Sequence, residues 1–279
     1  MKAIGRFFRS LFKSRPGTAG FLIITISITV TIAAPLITNF NPESPVAGMS
    51  RMPPDSVHWF GTDDTGMDVF TRVIYSGRIA LTIALSATFM SMLVGVPLGL
   101  IIAYYEGIGS EIVMRIMDLL QAFPVFIFAM VIVTVLGNNV ENVVIAITFL
   151  NAPVYLRLVR SEALSYKSRP FIDAAKCTGN SSLKIIFTEL LPVSIRPVFI
   201  QASVNIGGAI LLTAGLSFIG AGVRAPTPEW GSMILIGSDS IITGQWWSSA
   251  FPGLAIAINV LGFALFGDFL RHYLNPERR

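Results

Sequence analysis

Apolar residues fall into long blocks along this chain, separated by short segments rich in charges and turn formers. A bilayer core about 30 Å thick needs roughly 20 apolar residues in a helix. Six stretches reach that length: Ala19 to Thr38, Ile79 to Tyr105, Ile112 to Leu136, Val140 to Leu158, Val193 to Ile219 and Ser248 to Leu270. The pattern therefore predicts an all-α membrane protein with about six transmembrane helices. The fourth block is the weakest, because Asn151 and Pro153 interrupt it. Two segments between blocks, Asn41 to Arg78 and Ala221 to Trp247, are long enough to carry structure of their own.

Composition agrees. Of 279 residues 53% are hydrophobic and 13% charged, against about 25% charged in a soluble domain. The distribution of basic residues then gives orientation, since cytoplasmic segments carry excess Lys and Arg. With the N-terminus inside, the inner segments hold Lys2, Arg6, Arg9, Lys13, Arg15, Arg115, Arg157, Arg160, Lys167, Arg169, Lys176, Lys184, Arg271, Arg278 and Arg279. The outer ones hold only Arg51, Arg72, Arg78 and Arg224. Both termini are expected in the cytoplasm. The basic start resembles a signal peptide, but its apolar run exceeds the 7 to 15 residues usual for one, which predicts an uncleaved signal-anchor helix. Trp59, Phe60, Trp230, Trp246 and Trp247 fall where an interfacial aromatic belt is expected.

The longest inner segment, residues 159–191, reads as helix, turn, helix. Ser168 can cap a short helix with Pro170 in its first turn and Asp173 near its positive end. Gly179 supplies a left-handed stop. Asn180 or Ser181 can cap a second helix, in which Leu183, Ile186 and Leu190 recur at helical spacing until Pro192 disturbs the register. The small side chains of Ala174 and Ala175 would let a partner approach closely, although an ordinary capped loop would read the same way.

Asp173-Ala174-Ala175, Gly179 and Leu190-Leu191-Pro192 together resemble the "EAA loop" of permease subunits in binding-protein-dependent ABC importers, with Asp in place of the usual Glu. Further segments are similar to the peptide and nickel branch of that family, in its second permease. These are Gly61-Thr62-Asp63-Asp64-Thr65-Gly66-Met67-Asp68, Leu216-Ser217-Phe218-Ile219-Gly220, Pro226-Thr227-Pro228-Glu229-Trp230-Gly231, Phe251-Pro252-Gly253-Leu254 and Gly267-Asp268 with Leu270-Arg271. The resemblance spans nearly all of the chain after Trp59. It implies a type I permease fold, with residues 1–78 forming a cytoplasmic tail, first helix and outer loop, and residues 79–279 a five-helix core carrying the coupling loop 159–191. It also implies a multi-pass protein of the bacterial inner membrane that imports di- or oligopeptides, or else nickel or another small solute. The implied partners are a second homologous permease, two cytoplasmic ATPase subunits, an extracytoplasmic binding protein and the lipid bilayer, with no nucleic acid. ATP and Mg would be bound by the partners and no cofactor by this chain. Asp173, Ala174, Ala175, Gly179, Leu191 and Pro192 would meet the ATPase.

Polar groups inside a membrane are expensive and mark pathways by default. Asp118, Asn151, Asn205 and Ser217 are the candidates here. Each has a plainer alternative: an i,i+3 pair with Arg115 for Asp118, interhelical hydrogen bonds for the two asparagines, and packing for Ser217 among its small neighbours Gly207, Gly208 and Gly215. A membrane serine hydrolase would need a histidine beside Ser217, whereas His58 and His272 fall in the first outer loop and beyond the last span. A self-sufficient secondary carrier would carry more intramembrane charge, and no Gly-x4-Gly-Lys-Ser/Thr phosphate cradle occurs. An enzymatic role is therefore not expected, and any motor must be a separate chain.

Overall fold

The computed structural model describes residues 2–45 and 48–274, without the side chains of residues 2–4. Arg278 and Arg279, counted above as inner charges, lie outside the described residues. Helices α1 (Lys2–Lys13), α2 (Arg15–Ile37), α3 (Val69–Tyr104), α4 (Ile108–Ala122), α5 (Val125–Leu136) and α6 (Val140–Lys167) form the first half. There follow α7 (Pro170–Cys177), α8 (Ser182–Lys184), a π-helical turn (Ile185–Leu190), α9 (Leu191–Ser194), α10 (Arg196–Phe218), α11 (Trp230–Ser238) and α12 (Trp247–Leu274). Among the described residues there is no strand, and one isolated bridge joins Thr62 to Asp68.

Five helices, α2, α3, α6, α10 and α12, are long and apolar enough to cross a bilayer. The block expected as one span over Ile112 to Leu136 is two helices, α4 and α5, meeting at 92°. The cause is local. Pro124 has no N–H to continue the helix and drives the preceding residue out of the helical region, and Phe123 accordingly sits at φ −80, ψ 143. With 12 residues, α5 is about 18 Å long and reaches only part of the way across. Its far end is fixed at the outer end of α10 by Asn138 Nδ2, which donates to the Gly220 carbonyl at 3.2 Å.

The second span begins ten residues before its apolar block. Asp68 caps it, accepting from the Thr71 N–H at 2.7 Å, so Arg72 and Arg78 lie in its first turns rather than in a loop. The fourth span runs through Asn151 and Pro153 without a break and continues nine residues beyond Leu158, so the inner segment starts as helix. With 36 residues, α3 is about 54 Å long, well beyond bilayer thickness.

The most extensive pairing joins α3 to α6. Gly95 and Gly99, one turn apart on α3, let the two backbones meet: a Cβ on Gly95 would stand 2.5 Å from the Ala152 carbonyl oxygen, and one on Gly99 2.5 Å from that of Leu156. Bulkier residues there would hold the helices apart, and close approach is what drives helix association where lipid offers no hydrophobic contrast. Two buried apolar clusters result. The larger joins α3, α5, α6, α10, α11 and α12 around Ala84, Ile147, Ile210 and Trp230. The smaller lies at the inner end, where Val96, Leu100, Tyr155 and Val159 of α3 and α6 receive Ile172, Ala175, Ile185, Ile186 and Leu190.

Candidate functional site

The inner segment is a folded lobe fixed to the ends of two spans. Pro170 occupies the first turn of α7, Asp173 falls in that turn, and Gly179 takes φ +77. The Gly179 and Asn180 N–H groups return to the Lys176 and Ala175 carbonyls at 3.0 and 3.3 Å, closing the left-handed cap that the glycine permits. Ser168 ends α6 instead of capping α7, whose N-cap Arg169 makes no side-chain bond. Beyond the turn, the Leu191 N–H bonds to the Ile186 carbonyl across the wider π turn. The extra residue turns Ile185, Ile186 and Leu190 inward while Leu183 and Phe187 stay exposed, so the expected simple helical stripe is displaced.

The two adjacent alanines divide their work. Ala175 is buried against the bundle while Ala174 faces out beside Asp173, Lys176 and Cys177. Lys176 Nζ meets Asp173 Oδ1 at 3.0 Å, an exposed i,i+3 pair of little energetic weight. Phe171, Leu183 and Phe187 add exposed apolar surface to the same lobe. Leu191 is half-buried and Pro192 exposed where the lobe returns to α10.

Asn151 and Asn205 come together. They line a cleft of about 530 Å³ with Val125, Phe126, Gly208 and Gly215, so its wall includes the first residues after the bend at Pro124. Gln201 Nε2 donates to Asn205 Oδ1 at 2.8 Å, leaving Asn205 Nδ2 buried without a partner among the described residues. The other two candidates lie elsewhere. Asp118 pairs with Arg157 of α6 at 2.7 Å rather than with Arg115, because the bend lays α4 along the inner end of α6. Ser217 is buried at the outer end of α10, where its Oγ accepts from the Val223 N–H at 3.1 Å and holds the following turn.

The outer segments form a cap that the hydropathy pattern did not reveal. Arg72 is fully buried; its Nη1 donates to the Pro42 and Pro226 carbonyls at 2.7 and 3.1 Å, and its Nε faces Asp63 at 3.6 Å. Asp63 Oδ1 also accepts from the Thr65 and Met67 N–H groups, each at 2.9 Å. His58 Nδ1 lies 2.8 Å from Asp68. Asp64 takes the Arg51 Nε at 3.1 Å and the Ser240 hydroxyl. Burial pushes its carboxyl up, but those hydrogen bonds and the Arg51 charge outweigh burial and hold it below its ordinary value. Glu229 caps α11 through the Ser232 N–H at 2.9 Å, and burial pushes its carboxyl up despite that bond. Trp230 and Trp247, expected in an interfacial belt, are buried, and their indole N–H groups donate to the Val73 and Thr62 carbonyls at 2.9 and 3.0 Å. Trp59 and Trp246 remain exposed.

A bundle of this kind, with a folded inner lobe, a bent span and a mainly apolar cleft that carries two asparagines, is a membrane transport component. The chain belongs to the family of binding-protein-dependent transport system inner membrane components, whose model matches residues 95–279. It is 40% identical over 277 residues to the dipeptide transport system permease protein of Alkalihalophilus pseudofirmus, covering 98% of this chain and 89% of that one. It is 35% identical over 256 residues to the probable D,D-dipeptide transport system permease of Escherichia coli K12, covering 92% and 86%. It is 32% identical over 277 residues to the di/tripeptide transport system permease of Pseudomonas aeruginosa, covering 97% and 91%. Among solved structures, a chain of the MetNI methionine ABC transporter in an inward-facing conformation matches with a TM-score of 0.58 at 16% identity, over 73% of this chain and 96% of that one. That likeness establishes the shared fold.

Proposed function

We propose that this chain forms half of the translocation pathway of an ATP-driven importer of di- and oligopeptides. It pairs with a second permease, and two cytoplasmic ATPase subunits that bind ATP and Mg drive it through the lobe around Asp173 to Pro192. An extracytoplasmic binding protein delivers the solute to the outer cap. The observation that carries this reading is the lobe itself. Ile172, Ala175, Ile185, Ile186 and Leu190 seal it onto α3 and α6, so a push on its exposed face moves both spans as one body. Relatives over nearly the full chain length are named for peptides, which favours peptides over nickel.

In this mechanism the residues of this chain transmit force and shape the path, and no bond is made or broken on them. Asp173, Ala174 and Gly179 form the surface that the ATPase meets. The cleft at Asn151 and Asn205 offers carboxamides that match the hydrogen-bonding groups of a passing peptide backbone. The division expected at residue 78, between a tail, first helix and outer loop and a five-helix core, would fall inside α3, so the boundary proposed here is the start of that helix at Val69.

Cross-linking tests the docking. Cys177 is exposed at the end of α7, and in the assembled complex it is expected to cross-link to the ATPase and to lose reactivity toward a soluble maleimide. Full reactivity in an intact complex would refute the docking role. In proteoliposomes with the binding protein outside and ATP inside, labelled dipeptide is expected to accumulate. Nickel uptake without peptide uptake would reassign the solute, and uptake without the ATPase subunits would overturn the coupling.

A further inference from the structure

We propose that Glu229 is buried as the neutral carboxylic acid, which makes the joint between α10 and α11 a binding site for one proton. Glu229 caps the N-terminus of α11 and is 1% exposed. Its Oε2 accepts from the Ser232 N–H at 2.9 Å, whereas Oε1 is buried with no hydrogen-bond partner among the described residues. An ionised carboxylate only accepts, so it would leave a charged oxygen both unsatisfied and out of water. A neutral acid has one carbonyl oxygen and one hydroxyl. That division matches one oxygen held by a backbone N–H and the other without a donor.

The surroundings supply no counter-charge. The groups acting on the carboxyl are the Gly231 and Ser232 N–H groups and the Ser217 hydroxyl of α10, all of them neutral. Arg72 of α3 reaches this corner through the Pro226 carbonyl, but its charge faces Asp63. Arg78 of α3 is spent on the Thr31 and Ile32 carbonyls. In the first outer segment Asp64 is paired with Arg51 and Asp68 with His58, and Glu43 and Asp55 are exposed, as are Arg224 and Asp239. The charged residues of α10 and α12, namely Arg196, Asp268, Arg271 and His272, all lie at the inner ends of those helices. The positive end of α11 favours the anion, but by less than an unpaired charge loses on leaving water.

Packing keeps water from the acid. A Cβ on Gly231 would collide with the Ala214 carbonyl, so the first turn of α11 lies directly on the backbone of α10. On the other side the Trp230 indole N–H is bonded to the Val73 carbonyl of α3 at 2.9 Å. Ionising Glu229 therefore requires this joint to open, which loosens α11 from the helix whose Gly215 walls the cleft. The pH dependence has a definite sign. Burial raises the Glu229 carboxyl above its ordinary value. A group raised in this way contributes stability that is whole below the ordinary value and is lost as pH rises through the folded one. Between the two values each pH unit lowers the folding constant about tenfold, the slope of one proton.

The experiment compares the assembled complex as wild type and as Glu229→Gln, the isostere of the neutral acid, in a detergent without ester groups. At about pH 7, where ordinary carboxyls are ionised, the infrared spectrum of wild type should contain the carbonyl stretch of a protonated carboxylic acid. Glu229→Gln should lack that band. Melting midpoints from about pH 5 to about pH 8 should fall for wild type relative to Glu229→Gln, because only wild type has a proton to keep. Asp63, Asp64, His58 and Asp68 are present in both and cancel in the difference. Absence of the acid band in wild type, or its persistence in Glu229→Gln, overturns the proposal. A difference in midpoint that stays constant or narrows as pH rises overturns it as well. Failure of Glu229→Gln to assemble would also refute the neutral acid, since the amide offers the same shape and no charge.

Discussion

Gly179 offers the sharpest test of the coupling lobe, because only its backbone is at stake. Its φ is +77, and a Cβ added there would meet nothing within 4 Å. Any cost of substitution is therefore conformational rather than steric. An ordinary L-residue in the left-handed region loses about 1–2 kcal/mol, asparagine tolerates the region better, and a β-branched residue is worst. The bonds at risk are those closing the turn, from the Gly179 N–H to the Lys176 carbonyl and from the Asn180 N–H to the Ala175 carbonyl. Hydrogen exchange on residues 174–180 of the assembled complex should therefore rank wild type, Gly179→Asn, Gly179→Ala and Gly179→Val in order of falling protection. Opening in the valine variant should rise about 5–30-fold, which is 1–2 kcal/mol converted at 1.4 kcal/mol per decade. ATP-driven uptake should fall in the same order while the complex still assembles. Equal effects of asparagine and valine, which are of similar size, would show that bulk and not φ matters and would refute the turn argument. Unchanged uptake in the valine variant would remove the lobe from the force path.

The remaining predictions concern the bundle and its outer cap. Alanine at both Gly95 and Gly99 places each new Cβ against a carbonyl of α6 that cannot yield without moving the helix, so each should cost about 1–3 kcal/mol, measured as a lower midpoint in detergent melting; an unchanged midpoint would show that α3 and α6 are not held at contact distance. Arg72→Met leaves the buried Asp63 without its counter-charge and should cost about 3–5 kcal/mol, with much of that recovered in R72M/D63N; no recovery would deny the pairing. Asp64 is held below its ordinary value, so its contribution is complete above the unfolded carboxylate pKa and is lost as pH falls through the lower folded one. Acidification below about pH 4 should thus erase the difference between wild type and Asp64→Asn in proteolysis of the outer segment, and a difference that grows on acidification would reverse the sign and reject the assignment.

How far the fold could be read depended on what each residue had to satisfy. Long apolar blocks located every span, because lipid demands length and little else. Helix ends were missed where charge lies inside a helix and finds its partner from another segment. Arg72 reads as a loop residue until Pro42, Asp63 and Pro226 converge on it from positions far apart in the chain. Asp68 was a local signal, an N-cap before Val69, that a hydropathy count overrode. Pro124 was likewise local and should have divided the third block, whereas Pro153 leaves α6 unbroken. Of the candidate site, the Gly179 turn was legible because a left-handed cap is a property of a few consecutive residues. The meeting of Asn151 with Asn205 and the Asp118–Arg157 pair were not, since the first depends on how α6 packs beside α10 and the second on how α4 folds back at the bend.

The same facts divide the molecule into a stiff part and a compliant one. Gly95 and Gly99 hold α3 and α6 at backbone contact, and five apolar residues of the inner lobe seal the lower ends of both spans, so lobe, α3 and α6 form one lever. On α4 there is little to match that grip, whereas α5 packs Ala129 and Val133 into the larger cluster. Two helices of 15 and 12 residues meet at Phe123–Pro124 with no interhelical hydrogen bond across the bend among the described residues; α4 is tied at its start to α3 by the Ser110 hydroxyl, which donates to the Ile102 carbonyl, and near the bend to α6 by one exposed ion pair. Exposed ion pairs contribute at most about 1 kcal/mol, which a motor stroke can overcome. Phe126, two residues past the bend, lies in the cleft wall against Gly215. In the proposed mechanism a tilt of the lever changes the cleft first at Phe126, which would make the proline bend, more than any polar residue in the path, the point where force becomes access.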